Sequence, residues 1–189
     1  AASPGRPPRS APAGPASSPA KLKASNFAAT SIEIGRWKKA SQHEGDIVAK
    51  CYYAKRKLVW EILEAGLKSK IEIKWDDICW LYCSLPRQGT ATLKIALASK
   101  PAFFKESDPE PRKHTVWKKC EDFTGEQATT ARTHHLLFPP GVLPKHYHKL
   151  IRCDKRLRQL AEASKVRPGR GGRGGAAGTD SLSLSLSLS

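Results

Sequence analysis

Two short stretches decide the fold: Lys70-Ile-Glu-Ile-Lys-Trp75 and Ala91-Thr-Leu-Lys-Ile-Ala-Leu97. In both, apolar side chains occupy every second position, and charged or small residues fill most of the positions between them. Successive side chains of a β-strand point to opposite faces of its sheet, so this alternation is typical of a strand with one buried face. Trp75 then belongs to the core, and Trp60 is expected there for the same reason.

Less regular candidate strands lie on both sides of these two, at residues 31–37, 46–54, 57–64, 77–84 and 113–119. Glycine-containing turns at residues 44–46, 65–66 and 87–89 separate several of them. Because the intervals are too short for crossover helices, the strands should pair antiparallel. The sequence therefore predicts a mainly β domain.

The period of the apolar residues lengthens after the Pro-Pro-Gly sequence at residues 139–141. Apolar residues at positions 143, 147, 150 and 151 form one stripe of a helix. Asp154 is then expected to cap a second short helix. About seven antiparallel strands followed by a packing helix is the outline of a PH-like barrel. The strand count by itself equally allows another small barrel.

Several short blocks of sequence are more specific than this outline. They include Ser25-Asn-Phe27, Ile34-Gly-Arg-Trp37, His43-Glu-Gly-Asp46, Lys57-Leu-Val-Trp-Glu61, Pro111-Arg-Lys-His-Thr115, Asp122-Phe-Thr-Gly125 and Lys145-His-Tyr147. In this order they resemble a plant family with a PH-like domain, labelled after TRF and HOY, a TBP-related factor and a yeast homeobox protein. The resemblance runs from Ser25 to about Leu160, and departs at residues 79–83, where we expect a smaller and more polar strand. It implies a PH-like domain in a plant protein, and we expect that protein in the nucleus.

Composition divides the chain into three parts. Residues 1–24 are rich in Pro, Ala and Ser, and residues 165–189 combine Arg-Gly repeats with an alternating Ser-Leu tail. Such segments bury too little apolar surface to offset the entropy lost on ordering, so we predict disordered flanks around a domain at residues 25–164. The acid-free N-terminus is also typical of an organelle transit peptide, although a disordered tail is the interpretation we favour. We hypothesise that the Ser-Leu tail is a microsatellite or a mis-predicted exon.

The chain is strongly basic, with 33 Lys and Arg against 17 Asp and Glu and a formal net charge of +16. The two flanks account for nearly half of this excess, which leaves about +9 on the central domain. Such a charge favours an anionic partner, whether nucleic acid, an acidic membrane surface or an acidic protein. Charge alone does not choose among these three.

Five scattered cysteines, an odd number, indicate reduced thiols of the cytosol or nucleus and not a disulfide framework. Cys79 and Cys83 are spaced one residue too far apart for a redox or zinc knuckle. A regular strand would point both to one face, so we predict a buried pair of small apolar side chains. No apolar run approaches the ~18–20 residues of a membrane span.

The histidines give no support to a catalytic or metal site. His134-His135 and His146-x-His148 lack an acid or cysteine at a metal-binding spacing, so we expect surface or packing roles. The chain also lacks a nucleophile elbow, a phosphate-binding glycine loop and paired carboxylates beside a base. We therefore predict no enzyme activity, no cofactor and no metal.

Basic side chains are the better lead to a binding site, and they fall into three clusters. The candidate binding residues are Arg36, Lys38, Lys39, Lys50, Lys55, Arg56, Arg112, Lys113 and Lys118. The first four are assigned to the first hairpin and its arms, where many PH domains hold phosphoinositide headgroups. Lys50, however, lacks the following arginine that this lipid motif favours. The next two lie on the following hairpin, and the last three surround Trp117, a combination compatible with nucleic acid.

These observations favour a non-catalytic binding or scaffold module, a protein-interaction domain of a nuclear plant protein. A phosphoinositide-binding domain and a basic nucleic-acid-binding module are the alternatives. The nucleus is favoured over the cytoplasm, and the oligomeric state stays open.

Overall fold

The computed structural model describes residues 23–166. The flanks predicted to be disordered, 1–24 and 165–189, lie almost entirely outside these residues and stay predictions, as do the Arg-Gly and Ser-Leu tail assignments. The elements in chain order are β1 (Ser25–Ala28), β2 (Ser31–Ile34), β3 (Trp37–Ala40), β4 (Ile47–Tyr52), β5 (Lys57–Glu64), β6 (Leu67–Lys74), a 3-10 turn (Trp75–Asp77), β7 (Ile78–Ser84), β8 (Ala91–Leu97), β9 (Ala102–Ser107), β10 (Val116–Cys120), α1 (Gln127–Thr130), β11 (Thr133–Phe138), α2 (Leu143–Cys153) and α3 (Lys155–Val166).

The strands form two antiparallel sheets packed face to face, which confirms the predicted fold class. Sheet A has the order β1-β4-β5-β6-β9-β10, and sheet B has the order β3-β2-β11-β8-β7. The barrel is open between the edge strands β3 and β10. Phe123 fills this opening, with its ring centroid 6.2 Å from that of Trp37 and 5.7 Å from that of Phe103. A loop side chain thus packs between β3 and β9 on this side of the barrel, and β1 and β7 are the edge strands on the other side.

The core lies between the two sheets and contains the alternating apolar residues of the predicted strands. Trp60 and Trp75 are both fully buried, as expected. Trp60 of sheet A donates a 2.9 Å hydrogen bond from its indole Nε1 to Nδ1 of His134 in sheet B. His134 is itself fully buried, and burial lowers its pKa to about 3. A neutral histidine therefore links the two sheets in their interior.

The two C-terminal helices confirm the prediction from apolar spacing. α2 buries Leu143, Tyr147 and Leu150, the expected stripe. Asp154 separates the helices, and its Oδ1 accepts a 2.8 Å hydrogen bond from the backbone N–H of Leu157, the predicted cap. α3 then packs along β7, the edge strand of sheet B.

The described residues contain more strands than the seven predicted. Gly35, with φ of 57°, turns the predicted strand 31–37 into the β2–β3 hairpin, because a glycine adopts this backbone conformation without a steric penalty. β1, β9 and β11 were not predicted. β11 carries the sequence Thr-His-His-Leu-Leu-Phe, and His134 takes an inward position that the pattern reserves for apolar residues.

The prediction of a buried Cys79–Cys83 pair is wrong. The register of β7 against β8 shifts between Ile78 and Trp80, which is the signature of a β-bulge. Beyond it Cys83 keeps the inward parity and is half-buried, whereas Cys79 is exposed. The extra residue breaks the period of two on which the prediction depended.

Candidate binding surfaces

The predicted first hairpin is the β2–β3 pair, and its cations point to different sides. Lys38 is paired with Glu33 across the outer face of sheet B, with 3.1 Å between Nζ and Oε2. Lys39 points to the inner side and forms an ion pair with Glu64 at the β5–β6 turn. Arg36 lies exposed in the turn itself. Both lysines of the hairpin therefore have a carboxylate partner within the domain, and the exposed Lys38–Glu33 pair is screened by water.

The assignment of Lys50 to this hairpin is wrong. Lys50 belongs to β4 of sheet A, whereas β3 is the edge strand of sheet B. Its Nζ lies 2.6 Å from Oε2 of Glu61 on the neighbouring strand, and both side chains are largely buried. Because the chain changes sheets between β3 and β4, the four cations of the first cluster do not converge on one ligand-sized site.

The second cluster lies in the β4–β5 turn and has a structural anchor. Arg56 reaches Oδ1 of Asp76 at 3.0 Å and Oδ2 of Asp154 at 2.7 Å. Its guanidinium also lies 5.5 Å from the centroid of the Trp75 ring. Lys55, next to it, is exposed. Arg56 thus holds the turn against the junction of α2 and α3, whereas Nζ of Lys55 lies 5.9 Å from the ring centroid of Tyr52.

The third cluster is on the β9–β10 hairpin. Lys113 forms an ion pair with Glu110, and Nζ of Lys118 lies 3.8 Å from Oδ2 of Asp108. All four of these side chains are mostly exposed, so the pairs are screened by water and weak. Arg112 is exposed and makes no ion pair with any residue in the range 23–166.

Trp117 lies on the opposite face of β10 from Lys118. One face of its ring is occupied by Lys70, whose Nζ lies 4.7 Å from the ring centroid and 4.8 Å from that of Phe104. This lysine is largely buried between the two rings. The predicted combination of Trp117 with the basic residues of its own hairpin is therefore replaced by a packed contact on the outer face of sheet A.

The inner face of sheet A extends beyond the core at its β6–β9–β10 end. Along this face, burial decreases from row to row. Ile71 and Phe103 are buried, and in the next row Lys105 and Lys118 are exposed. We call the uncovered part the exposed inner face of sheet A; it consists of Leu67, Ser69, Lys105, Ser107, Val116 and Lys118.

A second surface lies on the C-terminal helices. Residues 143–166 contain seven Lys and Arg against two acids. Apart from the pair between Arg56 and Asp154, no ion pair within residues 23–166 involves a residue of α2 or α3. We call the outward cations the helical cationic surface; it consists of Lys145, Arg152, Lys155 and Arg158, all exposed.

The histidines take packing and surface positions. The ring of His146 stacks on Phe27, with 4.3 Å between centroids, and His148 is exposed. Burial, together with the charges of Lys145 and Lys149, lowers the pKa of His146. Within the described part of the chain, no three His, Cys, Asp or Glu side chains are grouped as metal ligands.

A comparison with protein-family models agrees with this geometry. The model of the TRF2/HOY1 PH-like domain matches residues 26–144. The chain belongs to this family. The PH-like domain accounts for both sheets and for the start of α2, whereas most of α2 and all of α3 lie beyond the matched residues. The family supports a general role as a binding or scaffold module.

No curated protein sequence matches the chain significantly. None of the helices between residues 23 and 166 has the length and apolar character needed to cross a membrane.

The sequence predicted Lys118 of the exposed inner face of sheet A, but not its apolar residues and not the helical cationic surface. Val116 lies inside a predicted strand, but its exposure depends on where sheet B ends, which no local pattern records. The helical cations had a visible signal, because the polar side of the predicted helix is almost free of acids. In the structure several sheet cations are paired with carboxylates, whereas those of α2 and α3 are not paired within residues 23–166.

Proposed function

We propose that the PH-like domain is a non-catalytic interaction module for a protein partner, which docks on the exposed inner face of sheet A. One observation carries this proposal. Leu67 and Val116 lie on the core-facing side of their strands yet are 51% and 59% exposed. With Leu63 at 38%, they are the exposed large apolar residues of the described chain.

The chemistry of this face supports a partner with both apolar and acidic side chains. Apolar residues on a sheet face exposed to water favour contact with another apolar surface. Lys105 and Lys118 lie in the row next to Leu67 and Val116. Arg112 and Lys113 are on the adjoining loop. A partner segment that alternates apolar and acidic side chains would complement both features, and an extended one can also pair with the edge strand β10.

The phosphoinositide alternative has weaker support. Its candidate hairpin residues Lys38 and Lys39 are paired with carboxylates, and Lys50 lies in the other sheet. A headgroup would have to displace those carboxylates before it could bind.

We also propose the nucleus as the compartment. Its support is the free state of all five cysteines, which suits a reducing environment, together with the expectation that the family resemblance raised. A fluorescent fusion of the full chain found only outside the nucleus would overturn this part.

Proximity labelling with the full chain as bait tests the docking face without assuming a partner. The bait is compared with Leu67→Ser/Val116→Thr, and with Leu63→Ser as the control, because Leu63 lies on the outer face of the same sheet. We expect the double variant to lose a defined set of labelled proteins that Leu63→Ser retains.

Direct titration of a purified partner from that set then completes the test. The double variant should weaken its affinity at least tenfold, and Lys105→Glu should weaken it further. Identical labelling and equal affinities for all baits would refute the docking face.

A further inference from the structure

The helical cationic surface is a second feature of the molecule, separate from the exposed inner face of sheet A. We propose that it binds the phosphate backbone of a nucleic-acid duplex, without reading its sequence. Lys145 and Arg152 are two helical turns apart on the outward side of α2, opposite the buried Tyr147. Lys155 and Arg158 take the corresponding outward positions of α3, away from the buried Leu157.

These cations lie on two helices that follow each other directly in the chain. Only Asp154 separates the two helices, so Arg152 and Lys155 are at most about 10 Å apart along the chain. Arg56 neutralises Asp154, with 2.7 Å between its Nη1 and Oδ2 of the aspartate. The acid at the centre of the surface is thereby cancelled from within the domain.

The spacing suits a polyanion. Lys145 and Arg152 span about 10 Å of helix axis, and a duplex presents one negative charge per about 1.7 Å of its own axis. Several phosphates therefore lie within reach of α2 alone. Glu162 is the remaining acid of these helices, and it lies one turn beyond Arg158.

The composition of the surface argues against other polyanions. The exposed large apolar residues of residues 23–166 are all on β5, β6 and β10, so the helices offer no anchor for a membrane. The outward positions of the two helices carry no Phe, Trp or Tyr on which single-stranded bases could stack. Beyond α3 the sequence continues with Arg167, Arg170 and Arg173 among glycines, which extends the positive charge in the form common among segments that bind nucleic acid.

Fluorescence anisotropy with the full chain tests the proposal. The probes are a labelled 20-base-pair duplex of DNA and one of RNA, each of mixed sequence, titrated between 50 and 200 mM salt. Four phosphate contacts predict a slope of log affinity against log salt of about −3.6, which is a loss of about 150-fold over this range. Equal affinities for the two duplexes would indicate recognition of their shared phosphate backbone. A preference would identify DNA or RNA as the ligand.

Three variants of the full chain locate the contacts. Lys145→Ala/Arg152→Ala/Lys155→Ala/Arg158→Ala should reduce affinity at 50 mM salt at least 30-fold and flatten the salt dependence. Lys74→Ala/Lys94→Ala/Lys100→Ala/Lys119→Ala removes the same charge from the sheets and their loops, and should bind within about threefold of the parent. Arg167→Ala/Arg170→Ala/Arg173→Ala should keep most of the affinity. Thermal unfolding checks that each variant is folded.

Several results would overturn the proposal. One is a helix variant that binds as tightly as the parent. Another is an equal loss from the sheet variant, which would indicate an effect of net charge alone. Loss confined to the tail variant would assign binding to the arginines after α3. Displacement of the duplex by poly-glutamate at equal charge concentration would assign an acidic protein instead.

Discussion

Charges on the sheets and charges on the C-terminal helices have different surroundings. On the outer face of sheet A, Nζ of Lys50 lies 2.6 Å from Oε2 of Glu61, and Lys57 forms an ion pair with Glu72. Burial by itself would raise the pKa of Glu72, yet the hydrogen bond and charge of Lys57 lower it below its usual value. On α2 and α3, by contrast, the outward cations have no carboxylate within ion-pair distance among the described residues.

The difference separates cations that hold the fold from cations that are available to a partner. Neutralised pairs on a sheet reduce the cost of desolvating each charge, and they fix the side chains in place. Unpaired exposed cations contribute little to folding and attract anions at long range. Net charge alone would not have distinguished these two groups.

The largest expected effect comes from protonation of His134, which places an uncompensated charge between the two sheets. His134 has a pKa near 6.5 when unfolded and about 3 in the fold. Between these values the unfolded state binds one more proton, so the free energy of unfolding falls as pH falls. We expect a loss of about 3 kcal/mol between pH 7.5 and pH 4.5, measured by urea unfolding. In Trp60→Phe/His134→Leu this loss should shrink to the small contributions of the other histidines and of carboxylates such as Glu72, whose pKa the fold lowers. An equal loss in both proteins would show that His134 is not responsible.

A smaller effect is expected at Asp154, which forms the one ion pair between the two regions within residues 23–166. Asp154→Ala removes both the cap on Leu157 and the carboxylate that pairs with Arg56. We expect the free energy of unfolding to fall by about 2 kcal/mol, since a cap is worth about 1 and a half-buried pair a similar amount. Glu162→Ala on the exposed side of α3 is the matched control and should change stability by less than about 0.5 kcal/mol. Equal effects would mean that the junction is not held by Asp154.

Within sheet A, Glu61→Gln tests whether paired cations stabilise the fold. It removes the charge opposite Lys50 and Lys68, at 2.6 Å and 3.7 Å. Because Glu61 is only 13% exposed, we expect a loss of about 1 kcal/mol, which high salt partly masks. Chemical denaturation at low and high salt measures it. A change in the free energy of unfolding below about 0.3 kcal/mol would show that the paired cations of sheet A do not stabilise the fold.

The smallest effect on stability is expected from the helical cationic surface. Removing Lys145, Arg152, Lys155 and Arg158 together should change the free energy of unfolding by less than about 0.5 kcal/mol. We expect a slight gain in stability, because like charges along the two helices repel one another. Urea unfolding of the quadruple alanine variant measures this. A loss above 1 kcal/mol would place these residues among those that hold the fold.

Regular periods made much of the fold predictable. The strand around Ile71 and the helix around Tyr147 were both recognised, because one face of each is buried and the other is not. β11 was missed since His134 occupies an inward position, and only the indole of Trp60, 74 residues away, makes that placement stable. Local patterns do not record such a partner.

The candidate site was less predictable for the same reason. The basic residues were visible, but whether a cation is neutralised depends on contacts such as that of Arg56 with Asp154, nearly a hundred residues apart. Lys50 was assigned to the wrong hairpin because the change of sheet between β3 and β4 leaves no mark in composition. Contacts across the fold, and not residue type, decide which cations are neutralised and which apolar residues stay exposed.

The bulge in β7 has a chemical consequence. Burial raises the pKa of Cys83 and of Cys51 to about 12, so both stay protonated near neutral pH and react slowly with electrophiles. The extra residue turns Cys79 out of the sheet, four positions from Cys83, into contact with solvent. A shift of one residue in one strand therefore decides which thiol of this pair a maleimide or an oxidant reaches first.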